Sequence, residues 1–500
     1  MSSSKLITTK GPCFIDQQGR QVILHGINLV NKDPATGYMG DETPELLADF
    51  RAWGLNCIRL GVIWDGLEPE PGQCNEAYLR GLDERIAWAR SQGLYVILDM
   101  HQDLYSVLYA DGAPEWATLT HGAPHIADSP VWSDAYFSSP AVQTAWDSFW
   151  SNAPAPDGIG LQDHYAAAWR VLAARYAAEP HVIGYDLMNE PFPGSLALQA
   201  QMLMFTTGAA LLAEVPGLSR SSPEDLAALW QTPEGRFALL QQLEDISLYR
   251  QIMDATAPLY QSFERSTLMP MMQRVANAVR QVDPYTVLLL ETTMASNMGV
   301  YSAIEPLLNA RGERELYQAY APHGYDLVTD TDAVAQASPE RVRLIFERHA
   351  ETAKRLAMPM VVDEWGAYGD IPETLPAAQA VVRIFEGLLS SEIYWTYSRA
   401  IDRTACFRAV HRPYPERVAG TLLSFRYEPG TETFSCAWQE DGRSAAPSLL
   451  YLPEWLTLTS DSVHLNPPGH GFETDTMRFG TVIRVPPTGA PVERHLTVHS

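Results

Sequence analysis

The sequence predicts a (β/α)8 barrel followed by a smaller all-β sandwich. Apolar, β-branched runs alternate with amphipathic helical stretches between residues 25 and 398, and the cycle repeats about eight times. Alternation of this length argues for a parallel sheet, and eight repeats argue for a closed barrel over an open one. From about Arg412 the helical period stops, and short alternating runs split by turn residues take over, the pattern of a sandwich.

The elements follow in order. CFIDQQGRQVIL is two short alternating runs about the turn residues 17–20, a hairpin that in a barrel protein plugs the bottom. The strand runs are VILHGINLV, CIRLGVIW from Cys57, YVILDMH from Tyr95, VIGYDLMNE from Val182, TVLLLETT from Thr286, QAYAPHGY from Gln318, MVVDEWG from Met360 and EIYWTYS from Glu392. Between them lie helical stretches such as PELLADFRAWG and HYAAAWRVLAARYAAEP, several closed by Gly or Pro where the next strand begins. The barrel is expected over residues 1–405 and the sandwich over 406–500. Two insertions exceed ordinary connections: residues 104–162, rich in Trp, Tyr, Pro and Gly, and residues 193–267, helical and containing FTTGAALLAEVPGL. Either they elaborate the structure, or they wall the cleft with aromatic and aliphatic surface suited to a large amphiphilic substrate.

Bulk properties exclude several classes of function. A chain of 500 residues has ample core, and 46% hydrophobic with 19% charged residues is far from the disordered regime. A net charge of −25 repels polyanions, so nucleic acid is not an expected partner. The five cysteines (Cys13, Cys57, Cys74, Cys406, Cys436) are odd in number and scattered without a CxxC pair, so neither a disulfide framework nor a metal knuckle is expected. MSSSKLITTKG lacks a charged n-region and an apolar h-region, and no run of about 18 apolar residues follows. The sequence reads as soluble, secreted if a signal was removed and otherwise cytoplasmic.

Chemistry-bearing residues collect at strand ends: Arg59, His101, Asp103, Asn189, Glu190, His323, Tyr325, Glu364 and Trp395. Each has a bland explanation alone, but this is the face on which barrel enzymes build their sites. Glu190 ends VIGYDLMNEP and Glu364 ends PMVVDEWG, so two carboxylates can face each other across a sugar, the minimum machinery for glycoside hydrolysis. Glu364 must be ionised to attack an anomeric carbon; Arg59 can hold it so, and Tyr325 can donate a second hydrogen bond. Glu190 must hold a proton, Asn189 can bond the sugar 2-hydroxyl, and Trp395 offers an apolar platform. GxGxxG, GxSxG, HExxH and P-loop patterns are absent from the sequence, so no cofactor or metal is expected.

NEP after the fourth strand, Glu364 in DEWG on the seventh, Arg59 on the second and HGY on the sixth resemble the retaining glycoside hydrolases of family 5, in clan A. LDMHQDLYS, YDLMNEP and HRPYPERVAGT resemble the endoglycoceramidase group within it. The resemblance implies Glu190 as acid/base and Glu364 as nucleophile, with sugar contacts from Lys32, His101, Asp103, Asn189, Tyr325 and Trp395. It implies a glycolipid substrate, hydrolysis of the glycan–ceramide β-glucosidic bond, and transient contact with a membrane surface. An exo-acting β-glucosidase on glucosylceramide or steryl glucoside is the alternative, and a non-catalytic carbohydrate- or lipid-binding protein a third reading. DEWG stands where many members have GEFG, and the insertion after NEP is long. With the two carboxylates at the tips of the fourth and seventh strands, the resemblance implies a separation of about 5 Å and hence retention of configuration.

Overall fold

The computed structural model describes residues 5–129, 131–213, 215, 221–458, 462–469 and 471–499. The chain opens with β1 (Ile7–Lys10), β2 (Cys13–Asp16) and β3 (Gln21–Val22). The barrel strands follow: β4 (His25–Leu29), β5 (Cys57–Ile63), β6 (Tyr95–His101), β7 (Val182–Asp186), β8 (Val287–Leu290), β9 (Gln318–Tyr320), β10 (His323–Gly324), β11 (Val361–Gly366) and β12 (Ser391–Trp395). These nine are parallel neighbours in the order β10-β11-β12-β4-β5-β6-β7-β8-β9. β9 and β10 are two halves of one run, broken where Pro322 has no N–H to give the ladder. Tyr320 closes the ring: it bridges Met360 in parallel, and its N–H donates to the Pro359 carbonyl at 2.9 Å. The barrel therefore has eight staves.

Strand side chains alternate with period two, and the inward face changes character along the strand. Cys57 is followed by Arg59, Ile97 by Asp99 and His101, Leu289 by Glu291, and Val361 by Asp363. The lower, apolar layer packs on Ile7, Phe14 and Val22 of the β1–β3 floor. The upper layer is polar, and it is the site.

The terminal strands are β13 (Tyr414–Val418), β14 (Thr421–Glu428), β15 (Thr433–Asp441), β16 (Ser448–Pro453), β17 (Val463–Asn466), β18 (Glu473–Met477), β19 (Gly480–Val485) and β20 (Pro491–His499). They form two antiparallel sheets whose inner faces meet through Tyr414, Leu450 and Ile483 on one side and Phe425, Trp438 and Leu496 on the other. The hairpin joins one of these sheets. β3 pairs with β13, Val22 opposite Arg417, giving the order β1-β2-β3-β13-β16-β19-β18. The barrel floor is thus hydrogen-bonded into the terminal sheet, a connection that the two separate sequence patterns do not disclose.

HRPYPERVAGT has a structural task at this junction. Arg412 Nη2 donates to Glu392 Oε1 at 2.8 Å, His25 Nδ1 contacts the same oxygen, and Tyr414 Oη donates to the Gly54 carbonyl at 2.7 Å. Trp365 of DEWG closes the network by donating from Nε1 to Glu392 Oε2 at 2.5 Å.

Both insertions are built at the carboxyl ends of the barrel strands. Residues 104–162 carry the helix Pro140–Trp150 and pack Tyr105, Trp146 and Phe149 into the barrel core. Residues 193–267 form the helices Leu196–Leu211, Pro223–Trp230, Pro233–Gln242 and Ile246–Phe263. Ser222, Thr232 and Asp245 cap the last three, accepting the first free N–H groups. The run FTTGAALLAEVPGL begins inside the first of these helices; its residues 214 and 216–218 lie outside the described residues. Among the described residues no helix is long and apolar enough to cross a membrane.

Candidate active site

Arg59, fully buried, organises the mouth. Its Nη1 donates to Glu364 Oε1 at 2.7 Å and to Asn28 Oδ1 at 3.1 Å. Its Nη2 donates to Asp186 Oδ2 at 2.6 Å, Asn189 Oδ1 at 2.9 Å and Glu291 Oε1 at 3.1 Å. Burial alone would lower this guanidinium, but Asp99, Asp186, Asp363 and Glu364 outweigh burial and hold it charged.

Glu364 accepts at both oxygens, the second from Tyr325 Oη at 2.9 Å. Burial pushes this carboxyl up, and His323 and Arg59 pull against burial. Glu190 reaches the same space from the end of the β7 run with a left-handed backbone, φ 44°, uncommon for a residue with a Cβ. Two contacts impose that turn: the Glu190 N–H donates to Glu291 Oε2 at 2.8 Å, and Gln102 Nε2 donates to the Glu190 carbonyl at 3.2 Å. The strain is stored where the side chain must be aimed. Glu190 Oε1 accepts from Asn297 Nδ2 at 2.7 Å and lies 2.8 Å from His323 Nδ1. Burial would lower the His323 imidazole, yet Glu291 and Glu364 drive it well above its usual range, which favours a donor at Nδ1 toward Glu190. Glu190, His323 and Glu364 each place one polar atom within 4.8 Å of the others.

The other predicted residues form a second group at the same mouth. His101 Nδ1 is 2.8 Å from Asp99 Oδ2, and its ring stacks on Trp395 with centroids 5.3 Å apart and planes at 12°. Burial opposes its protonation, but Asp99 brings the imidazole up to about 9. Lys32 Nζ pairs with Asp103, lies 3.7 Å from Asp111 Oδ2, and sits 5.0 Å from the centre of the Trp395 ring. Burial raises Asp103, but Lys32 and His101 together outweigh burial and bring it down to about 2; Asp111 is pushed up to about 7 by burial and by Asp103. His101, Asp103 and Asp111 have the spacing of a metal triad. The Lys32 ammonium already supplies positive charge to both carboxylates.

All ten residues expected at the mouth lie there. The strand-end reading passed over Glu291, although TVLLLETT ends in acid as the others do, and it passed over Asp363, which the DEWG departure adds beside Arg59 at 3.5 Å. Asn297 sits in a loop turn and carries no sequence signal.

A cleft of about 550 Å³ opens over Glu190 and Glu364. Beside it lies an apolar chamber of about 750 Å³, walled by Phe137, Phe205, Leu212, Leu226, Trp230 and Leu239 among others. Ser133, Met294, Met298, Leu327 and Thr329 line both, so the two spaces share one wall.

The family described as cellulase (glycosyl hydrolase family 5) matches residues 15–400, and the family 5 C-terminal domain matches residues 412–496. The chain belongs to glycosyl hydrolase family 5. Among curated family 5-like relatives, endoglycoceramidase I of Rhodococcus hoagii is 36% identical over 187 residues, which covers 37% of this chain and 37% of that protein. The match thus spans well under half the length of that relative. Two solved structures of an endo-glycoceramidase II from Rhodococcus sp. each cover 97% of this chain and 99% of their own. One is a cellobiose-like imidazole complex, at 26% identity and TM-score 0.72. The other is a lactosyl-enzyme intermediate, at 25% identity and TM-score 0.70.

Proposed function

We propose that this chain is a retaining β-glycosidase that hydrolyses the β-glucosidic bond joining glycan to ceramide in glycosphingolipids. The observation that carries the reading is a facing pair of carboxylates in a polar cleft that shares a wall with a larger apolar chamber. A sugar needs the first space and a sphingoid or acyl chain the second. The solved relatives, one an endo-glycoceramidase held as a lactosyl-enzyme, support the same reaction class.

Glu364 is the nucleophile: Arg59 and Tyr325 each donate to one of its oxygens, which aligns the carboxylate and leaves a lone pair to attack the anomeric carbon. The spacing to Glu190 is too short to admit a water on the attacking side, so the first product is a covalent glycosyl-enzyme. Glu190 gives its proton to the leaving oxygen, then takes one from the water that resolves the intermediate. Asn189, with Oδ1 on Arg59 and one Nδ2 hydrogen on the Gln102 carbonyl, keeps a second N–H for the 2-hydroxyl. Lys32, His101, Asp103 and Trp395 contact the same sugar. The charge-free helix Leu196–Leu211 exposes Leu198 at 40% and Met202 at 56%, and its Met204 and Phe205 line the chamber. That helix is the surface through which the enzyme meets a membrane.

One digest tests the reading. A ganglioside should yield ceramide and an intact oligosaccharide by mass, with the β-anomer first in proton NMR. Glucose freed from glucosylceramide while the ganglioside stays intact would make the enzyme exo-acting, and an initial α-anomer would overturn the role of Glu364.

A further inference from the structure

The acid/base residue is aimed by a group that no strand end supplies. Asn297, 6% exposed, lies in the 3-10 turn Met294–Met298 beyond β8. Its Nδ2 donates to Glu190 Oε1 at 2.7 Å, and its carbonyl accepts the Tyr325 N–H at 3.1 Å, so one residue touches one carboxylate and the partner of the other. With His323 Nδ1 also at 2.8 Å, Oε1 faces two N–H donors. A proton on that oxygen would be driven against them, so it belongs on Oε2. The turn is pinned from behind: the buried Glu264 carboxylate accepts from the Thr293 N–H at 3.3 Å, the Ser302 hydroxyl at 2.9 Å and the Ala303 N–H. Met294 and Met298, at the ends of the turn, line both the cleft and the chamber.

We infer that Asn297 is a positioning residue for acid catalysis, which fixes the oxygen of Glu190 that carries the proton, and that its turn ties this alignment to what fills the apolar chamber. The inference rests on the glycosidase reading above. In the step concerned, the Oε2 proton passes to the glycosidic oxygen as the C–O bond breaks and the Glu364 oxygen bonds to carbon. The leaving group then departs as a neutral alcohol and Glu190 is left as the carboxylate. Contact of the lipid with Met294 and Met298 is binding energy from a non-reacting part of the substrate, usable at the reacting centre.

Leaving-group dependence tests this. Asn297→Ala and the isosteric Asn297→Asp both keep the backbone contact with Tyr325 and remove the N–H donor. Each should lose on the order of 100-fold more kcat/KM on a phenyl β-cellobioside, which needs the proton, than on the 2,4-dinitrophenyl analogue, which does not. Equal losses on both would mean a merely structural role and would overturn the inference. Met294→Ala with Met298→Ala should lose about tenfold more kcat on detergent-dispersed lactosylceramide than on the dinitrophenyl cellobioside; equal losses would overturn the coupling to the chamber. A wild-type enzyme that cleaves both aryl cellobiosides but no glycosylceramide would remove the lipid reading and the coupling together. The leaving-group contrast would still decide the role of Asn297.

Discussion

The polar mouth and the apolar chamber are built on opposite principles. In the mouth, charged groups come from strand ends and are cross-linked: Arg59 alone reaches Asp186, Asn189, Glu291 and Glu364. The chamber has only scattered polar contacts among the described residues, such as Ser129 Oγ to Asp134 Oδ2 and Arg236 Nε to the Trp230 carbonyl. Its walls come from the two insertions and the loops beyond β8 and β10, and its lining is mostly Phe, Leu, Met and Trp held by packing, with Asp128, Asp134, Gln201 and Arg236 among them. The barrel strands and the turns at their ends thus carry the groups whose geometry must hold to a fraction of an ångström, and the inserted helices and loops carry the apolar surface. Cross-linked parts fail together when one is removed; packed parts yield by degrees.

The largest effect expected lies in the mouth. Glu364→Ser should abolish hydrolysis, by at least about 10⁴-fold, and still couple an α-glycosyl fluoride to a sphingosine-like acceptor, because it removes only the proposed nucleophile. Loss of both activities with the fold intact would blur the division between the regions. Next is Arg59→Lys, which keeps the charge but cannot fork between Asp186, Asn189 and Glu364. Its kcat should fall on the order of 100-fold or more on every substrate, aryl or lipid, as measured by steady-state kinetics.

A chamber substitution should discriminate where these do not. Phe205→Asp puts a charge into apolar lining and should cost about tenfold more on glycosylceramide than on a soluble aryl glycoside. A uniform loss would show the chamber to be structural. Leu198→Glu with Met202→Glu extends the comparison to the exposed helix: activity on vesicle-borne substrate should fall more than activity on detergent-dispersed substrate, by about threefold.

The smallest effect concerns neither region and serves as a control for both. Burial pushes Glu386, beneath the terminal sheet, up to about 7 from an ordinary 4.5. A carboxyl raised by folding contributes stability fully below about pH 4.5, and that contribution is lost as pH rises through 7. Glu386→Gln does not titrate, so its stability relative to wild type should rise across that window, by on the order of 2 kcal/mol in urea unfolding. A pH-independent difference would mean that Glu386 is ionised in the fold.

Much of the mouth was legible because strand ends announce themselves. A β-branched run followed by a polar residue names the place where a side chain emerges over the barrel, and His101, Glu190 and Glu364 were found that way; Arg59 was read with them although it lies inside β5. Glu291 obeyed the same rule and was passed over, since one acid after TVLLL has no adjacent motif to distinguish it. Asn297 was not readable at all. Its position depends on a 3-10 turn pinned by Glu264, a contact between residues 264 and 303 that no local pattern encodes.

By itself the sequence determined the periodicities, and with them the eight staves, the terminal sandwich, the capped helices of the second insertion and the residue types at each strand tip. These are local properties, set by a spacing of two or 3.6 residues and by which groups can satisfy a chain end. Only the tertiary structure decided that the N-terminal hairpin would extend the terminal sheet, that Glu190 would take a left-handed backbone against Glu291, and that the two insertions would meet to enclose a chamber. Each of these joins segments far apart in the chain, where the cost of ordering is repaid only by contacts that exist once the whole barrel has closed.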